Sequence, residues 1–411
     1  MLESYLGLIR KEPRPLFYSA VHTFFSGFGQ TFFIALFLPQ LQSIHRMSHM
    51  ALGSLYSAAT ICSACLIPFL GACIDRTHLR RYSLLVNSGL IIGYLLLIKA
   101  RSPLVLFLAL FFIRLCGQAL LPHISATASS RYFQKFRGRA LAISGLGHPI
   151  GEAILPLLLA FLLKHLGWED SLSFLIFINA VLFIPTVIYL LPKNDLFLQP
   201  TFTSIAKEND QKTSTWKLIK SPFFLSILPS LMAYPFIGTG LFFHQAAIAA
   251  QKGWELQWMI ACFPIYAICR VIGTFSGGFF VDKWAACSLS ATPLIPLFLS
   301  LLVISTQNSP WAIPLYMGGF GTTIGLASCI YTALWAECYG TEELGRIKSA
   351  MKPFIIASTA VSPVAFGWCL DEKTDLKGLF FMCFSFLFTA AILLKSPWVR
   401  SRFQSALQRR L

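Results

Sequence analysis

The sequence predicts an all-α membrane protein with twelve transmembrane helices in two pseudo-symmetric six-helix bundles. Three observations predict this fold: the composition, the number of long apolar stretches and an internal repeat. Of the 411 residues, 56% are hydrophobic and 12% are charged, and the mean hydropathy is +0.67. A soluble domain carries about 25% charged residues. This chain lacks the polar surface that a soluble globule of its length needs, so we expect it to lie in a lipid bilayer.

Twelve stretches have the roughly 20 mainly apolar residues that a spanning helix requires. We number them spans 1 to 12 in chain order, and the shortest are spans 3 and 9. They lie at residues 16–39, 50–72, 82–99, 103–128, 138–163, 171–191, 221–248, 257–281, 288–305, 310–336, 345–369 and 378–396.

The basic residues are distributed unequally between the two sides of the membrane. The side that holds both termini carries 23 of the 33 lysines and arginines, the opposite side carries 7, and Arg114, Arg270 and Lys352 lie within spans. Because cytoplasmic loops carry the excess of basic residues, we expect both termini in the cytoplasm and the protein in the plasma or inner membrane. The charges form no stripe on a polar fold, so no nucleic-acid partner is expected.

A polar stretch at 193–220 divides the chain into an N-terminal bundle at 1–192 and a C-terminal bundle at 221–411. The two halves repeat several residues at a constant separation of 207 positions, as from Asp75 to Asp282. Gly71 and Gly278, Tyr132 and Tyr339, and Pro156 and Pro363 share this separation. Duplicated six-helix halves are typical of transporter architecture.

Short motifs in the loops resemble those of the major facilitator superfamily. The segment from Gly71 to Arg81, GACIDRTHLRR, resembles the superfamily's signature between spans 2 and 3, and Gly278-Phe-Phe-Val-Asp282-Lys283 resembles its weaker second copy. Arg114 with Gly117 is similar to the span-4 arginine motif. Residues 131–140, RYFQKFRGRA, resemble the segment that enters span 5 in the monocarboxylate and oxalate-formate porter-like members. The resemblance implies the major facilitator fold.

The loop acids are predicted to form a conformational latch, although a solvated loop acid is the alternative. A carboxylate at Asp75 can bind a helix N-terminus or basic side chains at the cytoplasmic face. The predicted latch comprises Gly71, Asp75, Arg76, Gly278 and Asp282.

Two charged residues are predicted at one depth in spans 4 and 5. Arg114 and Glu152 each lie about 14 residues, or roughly 21 Å, from the cytoplasmic ends of their spans. They are predicted to be close enough for an ion pair, either permanent or switched by protonation of Glu152. His148 precedes Glu152 by four residues and so shares its helix face. The pair His148 and Glu152 is predicted to carry protons, with a merely hydrogen-bonding histidine as the alternative.

The C-terminal half carries two basic residues within spans. Arg270 lies near the middle of span 8 with no acid one turn away, and its guanidinium matches a carboxylate bidentately. The resemblance to monocarboxylate and oxalate porters implies a substrate-binding role for Arg270 and for Lys352 in span 11. The alternative for Lys352 is a side chain that extends to the membrane surface and does not bind the substrate. The predicted substrate-binding residues are Arg270, Arg114, Lys352, Tyr234 and Gln30.

The interior charges favour an anionic substrate, because Arg114, Arg270 and Lys352 outnumber Glu152. The sequence contains no catalytic or nucleotide-binding motif, so an enzyme is not expected. We predict a secondary transporter that moves a small, monocarboxylate-like organic anion by alternating access with proton coupling, as a monomer without a cofactor. An efflux antiporter for drugs or hydrophobic metabolites is the alternative.

Overall fold

The computed structural model describes residues 2–191, 215–340, 342–372 and 376–410. Within these ranges the regular structure is helical and no strand occurs. Most of the predicted linker at 193–220 lies outside the described residues, and the helix Thr215–Ile219 lies in its last part.

The first six spans are long apolar helices, and the first of them is bent by 45° at Gln30. Their bounds are Pro13–Gly29 with Thr31–His45 for span 1, then His49–Asp75, Leu79–Ile98, Pro103–Tyr132, Arg137–Leu166 and Trp168–Leu190. A short helix at Leu2–Lys11 precedes them.

The second set of spans contains one helix that is shorter than the sequence predicts. The bounds are Pro222–Phe243, Leu256–Lys283, Leu294–Thr306, Ala312–Tyr339, Leu344–Asp371 and Leu376–Leu394. Span 9 begins at Leu294 instead of residue 288, because residues 285–293 form successive turns that end at Pro293. Together with span 1, the helices of the described residues fill the twelve predicted positions, so the predicted all-helical fold class is confirmed.

The chain divides into two compact units. The first comprises Met1–Met47 and Ser54–Ala206, and the second comprises Ser48–Gly53 and Lys207–Leu411. The first turn of span 2 thus belongs to the second unit. The predicted boundary at the polar stretch 193–220 assigns that turn to the N-terminal bundle.

Each unit is held together by close packing of small residues. In the first unit, Gly147 and Gly151 of span 5 lie against the backbone of span 1, where a Cβ on Gly147 would lie 2.1 Å from Ala20 O. In the second unit, a Cβ on Gly325 of span 10 would lie 2.3 Å from Arg270 O in span 8. Small residues let helix backbones approach closely in lipid, and here they fix the spans that carry the interior charges.

Candidate functional site

The first unit carries a polar cluster at the bend in span 1. The backbone is extended at Gln30 (φ −82°, ψ 153°), between a 3₁₀ turn at Ser26–Gly29 and the helix Thr31–Ile34. Arg114 donates from Nη1 to Gly29 O at 3.1 Å and from Nε to Thr60 Oγ1 at 3.1 Å. The bend therefore presents a carbonyl oxygen that a guanidinium binds.

The local backbone of span 4 positions Arg114 for this contact. Arg114 lies in a π-helical segment, Ile113–Leu120, and is only 1% exposed. The guanidinium carbon lies 4.7 Å from the ring centroid of Tyr56, whose hydroxyl is 2.7 Å from Thr31 Oγ1 on the far side of the bend. Short π-helical segments are frequent at functional sites because they displace a side chain relative to a regular α-helix.

Two glycines bring spans 1 and 4 into backbone contact beside Arg114. A Cβ on Gly29 would lie 2.3 Å from Gln118 N, and a Cβ on Gly117 would lie 2.7 Å from Gly29 Cα. Neither position has room for a side chain, so the two backbones cross at the bend.

The other end of the 3₁₀ turn contacts the predicted proton-carrying pair. His148 Nδ1 lies 3.3 Å from Ser26 Oγ, and His148 Nε2 lies 3.6 Å from Glu152 Oε1. The Glu152 side chain is 4% exposed and the His148 side chain is 22% exposed. The predicted ion pair of Arg114 with Glu152 is not among the contacts of the described residues, because the Arg114 hydrogen bonds go to neutral oxygens.

The second unit holds a cavity of about 260 Å³ lined by predicted substrate-binding residues. Tyr234 and Lys352 both line it, and so do Tyr331 and Lys348. The described residues that form its wall include neither Asp nor Glu. The cavity thus combines ammonium groups with aromatic and apolar walls.

Arg270 lies close to this cavity, although it does not line the wall. Span 10, whose Gly325 lies against the Arg270 backbone, contributes Ala327 and Tyr331 to the wall. The Arg270 backbone is fixed because Gly321 and Gly325 of span 10 lie directly against it. The structure therefore brings Arg270, Tyr234 and Lys352 into one region of the second unit and places Gln30, Arg114, His148 and Glu152 in the first.

The predicted latch of the first unit contains an ion pair at the end of span 2. Asp75 Oδ1 accepts a hydrogen bond from Arg131 at the end of span 4. Gly71 O lies 3.2 Å from Nε2 of His123, also in span 4, and Arg76 is exposed. These contacts hold the ends of spans 2 and 4 together.

The second copy of the latch has different contacts. Gly278 has open space around it and Asp282 is exposed. Instead, Glu337 at the end of span 10 accepts hydrogen bonds from the backbone N–H groups of Ala286 at 2.9 Å and Cys287 at 3.1 Å. In this unit the acid lies on the span and the donors lie in the loop.

Sequence reasoning missed three functional candidates: Arg131, Glu337 and Asp371. The carboxylate of Asp371, at the end of span 11, accepts from the N–H groups of His49 at 2.9 Å and Met50 at 2.8 Å. The available signal was position, since each of the three lies in the last turn of a span, but the partner of each lies in another segment: Asp75 for Arg131, a loop for Glu337 and the start of span 2 for Asp371.

Comparison with known proteins supplies the family. The model of the Major Facilitator Superfamily matches residues 20–363. A crystal structure of a bacterial homologue of the human lysosomal transporter Spinster, inward-facing and unoccupied, is 14% identical, with 97% of this chain and 98% of that chain covered and a TM-score of 0.65. The crystal structure of the nucleoside transporter NupG is 11% identical, with 94% of this chain and 99% of that chain covered and a TM-score of 0.71.

No curated protein sequence matches the chain. The structural likeness, at these identities, establishes the fold and not the transported solute. The family match, however, extends over most of the chain, from span 1 into span 11. The chain therefore belongs to the Major Facilitator Superfamily and is a membrane transporter.

Proposed function

We propose that the protein is a secondary transporter that moves a small organic anion, monocarboxylate-like in its chemistry, by alternating access. The observation that carries the proposal is the cavity of the second unit, where Lys348 and Lys352 line a wall without carboxylates among the described residues. Both lysines are exposed, so they give the opening of the cavity a positive potential, and such a potential favours the entry of an anion over a cation.

The aromatic residues of the wall suit the remainder of the substrate. Tyr234 and Tyr331 line the cavity together with Trp335. Such side chains combine an apolar face with a polar hydroxyl or N–H group. A carboxylate with a short carbon skeleton fits this combination, with its charged end toward the lysines and its apolar end against the rings.

Arg270 is proposed to recognise the carboxylate itself. A guanidinium presents paired N–H donors that match the two oxygens of a carboxylate, which an ammonium does not. The packing of the Arg270 backbone against span 10, which contributes Ala327 and Tyr331 to the cavity wall, supports this assignment. Arg114 is already held by Gly29 and Thr60, so a direct contact between Arg114 and the substrate stays a prediction.

Proton coupling is proposed to depend on His148 and Glu152. Their side chains are 3.6 Å apart and the histidine also contacts Ser26 at the 3₁₀ turn of span 1. Protonation of either group changes the charge at a turn where the helix is already irregular. This arrangement supports a coupling of protonation to the conformation of span 1.

Ligand-induced stabilisation tests the substrate class. Purified protein is heated with formate, acetate, lactate, oxalate or benzoate, and with tetraethylammonium as the cationic comparison. A ligand that binds only the folded state stabilises it by about 2.7 kcal/mol at 100 times its Kd. We expect a carboxylate to raise Tm and tetraethylammonium to leave it unchanged.

Two variants and a matched control locate the effect. In Lys352→Gln and in Arg270→Lys, the rise in Tm with the carboxylate should shrink to less than half. Lys395→Gln removes an exposed lysine beyond the end of span 12 and should respond like the wild type. Stabilisation by the organic cation alone, or equal carboxylate stabilisation in all variants, would contradict the proposed anion site.

A further inference from the structure

A helix after span 12 lies across two other spans of the second unit. Span 12 ends at Leu394, and the chain then turns tightly, with Ser396 N bonded to Leu393 O at 3.1 Å. A new helix, Pro397–Arg410, begins directly after this turn. We call it the C-terminal helix. It packs against span 7 and span 10, which both contribute to the wall of the proposed substrate cavity.

One face of the C-terminal helix is buried. Val399 and Ala406 are buried, and Phe403 between them is half-buried. Spacings of four and three residues place these side chains on one side of a helix. Arg400 and Gln404 are exposed. The helix therefore lies on the protein by its apolar face, as an amphipathic surface helix does.

Arg402 joins this helix to the end of span 10. Its Nη2 donates to Cys338 O at 3.0 Å. Cys338 lies in the last turn of span 10, where carbonyl groups have no donor within the helix. The guanidinium carbon of Arg402 also lies 4.5 Å from the ring centroid of Tyr339. The side chain thus supplies a donor for the end of the span and contacts an aromatic ring beside it.

A continuous set of aromatic rings leads from the C-terminal helix to the cavity. The ring centroids of Phe403 and Phe223 are 6.1 Å apart, and those of Phe223 and Trp335 are 6.2 Å apart. The ring of Tyr339 lies 6.0 Å from both Phe223 and Trp335. Aromatic pairs are favourable at centroid separations of about 4.5–7 Å. Trp335 is the last ring of this set, and it lines the cavity.

The position of Trp335 depends on its neighbours. Only 1% of its surface is exposed, and a further ring, that of Phe224, lies 6.0 Å from it. Close-packed interiors leave little empty space into which a large side chain can shift. A change in the rings that touch Trp335 should therefore move it, and with it one part of the cavity wall.

We propose that the C-terminal helix positions Trp335 and so sets the width of the cavity, with Arg402 and Phe403 as the positioning residues. The consequence for the substrate rests on the proposed function, whereas the packing of Trp335 does not. Removal of the Phe403 ring leaves space into which Phe223 and then Trp335 can relax. The cavity becomes wider, so a bulky carboxylate gains affinity relative to a small one.

Fluorine NMR of the purified protein, with 5-fluorotryptophan in place of tryptophan, tests the packing. The signal that disappears in Trp335→Phe belongs to Trp335. Phe403→Ala and Arg402→Gln should shift this signal, because the rings around the indole change their positions. Arg400→Gln removes an exposed arginine of the same helix and should leave the signal unchanged.

Calorimetric titration with acetate and benzoate tests the effect on the cavity. In Phe403→Ala, the ratio of the Kd for benzoate to the Kd for acetate should fall by about threefold, a common size for coupling through packed side chains. A loss of overall stability alone leaves this ratio unchanged, since it affects the binding of both ligands equally. Phe403→Leu fills much of the space and should keep most of the wild-type ratio.

A double variant shows whether Phe403 acts through Trp335. Residues that act through a shared contact have non-additive effects. In a protein that already carries Trp335→Phe, the further change Phe403→Ala should therefore alter the Kd ratio less than it does in the wild type. Arg402→Lys serves in the NMR measurement if Arg402→Gln is not monodisperse, and it should shift the Trp335 signal less.

The two measurements separate this inference from the proposed function. If neither carboxylate binds the wild type, the proposed anion site is wrong, and the fluorine spectra still decide whether the C-terminal helix positions Trp335. An unshifted Trp335 signal in both Phe403→Ala and Arg402→Gln would overturn the inference. An unchanged Kd ratio in Phe403→Ala, with both ligands bound, would overturn it as well.

Discussion

Arg114 joins three spans through one buried side chain. It lies in span 4, donates to Thr60 in span 2 and donates to Gly29 at the bend of span 1. A buried carbonyl without a donor costs free energy, and so does a guanidinium without acceptors. The hydrogen bond between Arg114 and Gly29 O therefore supplies a donor for the carbonyl and an acceptor for the guanidinium. The bend in span 1 and the buried charge stabilise one another.

Replacing Arg114 should destabilise the first unit. Arg114→Ala leaves the Gly29 carbonyl without this donor at a cost of about 1–3 kcal/mol, and it also removes the contact with Tyr56. Arg114→Lys should recover only part of the loss, because an ammonium lacks the forked geometry. Thermal unfolding in detergent measures both effects.

The control for this prediction is another arginine of the same unit. Arg101→Ala removes an exposed side chain that lies 3.5 Å from Glu169, and exposed substitutions usually change stability by less than about 0.5 kcal/mol. If Arg114→Ala unfolds at the temperature of Arg101→Ala, the guanidinium does not hold the bend.

The sequence predicted which residues carry interior charge and that His148 lies beside Glu152, but it did not predict what Arg114 contacts. Arg114 and Glu152 were placed at one depth, yet Arg114 donates to Gly29 O, and His148 lies 3.6 Å from Glu152. The acceptor for Arg114 is a backbone carbonyl at a bend beside Gln30, a residue type that does not by itself indicate a bend. Its geometry depends on the crossing of spans 1 and 4, which a single sequence does not specify.

At the scale of the element, the start of span 2 depends on span 11. The first N–H groups of a helix have no partner within the helix, and here Asp371 accepts from two of them, those of His49 and Met50. Close packing reinforces the contact, since a Cβ on Gly53 would lie 2.6 Å from Pro363 O. These residues all belong to the second unit.

Removing the Asp371 carboxylate should weaken this helix start. Asp371→Ala should lower the free energy of unfolding by about 1 kcal/mol, the usual value of a side-chain cap, and Asp371→Asn should retain part of it. Glu372→Ala, which removes the adjacent exposed acid, is the matched control. Equal thermal stability of Asp371→Ala and Glu372→Ala would show that the cap contributes nothing measurable.

The positions of most spans followed from apolar length, and span 9 shows where that rule is insufficient. The stretch 288–305 is mainly apolar, but its helix begins only at Leu294. The residue before a proline is disfavoured in helical conformation, and Pro293 is preceded by turns from residue 285. The predicted length of span 9 therefore included residues 288–293, which lie in turns and not in the helix.

At the scale of the whole molecule, the two repeated units carry different chemistry. The first unit contains the Asp75–Arg131 ion pair and the His148–Glu152 contact. The second contains the cavity lined by Lys348 and Lys352, and the backbone of Arg270 packs against span 10, which contributes to the wall of that cavity. The internal repeat predicted the architecture. Asp75 and Asp282 occupy equivalent positions in the repeat, but they differ in their contacts: Asp75 binds Arg131, whereas Asp282 is exposed and Glu337 binds the loop in the second unit.

This division predicts that proton coupling and substrate recognition are separable. In reconstituted liposomes, Glu152→Gln should exchange substrate across the membrane at nearly the wild-type rate but should not accumulate it under a pH gradient. Glu169→Gln, which alters an exposed acid of the same unit, should accumulate it normally. Gradient-driven accumulation by Glu152→Gln would remove this residue from the proton path.

Uptake by liposomes that contain Arg270→Lys tests the central claim most directly, which is that a guanidinium beside the cavity of the second unit recognises an organic anion. The substrate is the carboxylate that raises Tm of the wild type, and Lys395→Gln serves as the control. We predict that Arg270→Lys remains folded and takes up the carboxylate at about a tenth of the wild-type rate or less, because the bidentate contact is lost. Uptake by Arg270→Lys at the wild-type rate would contradict the account.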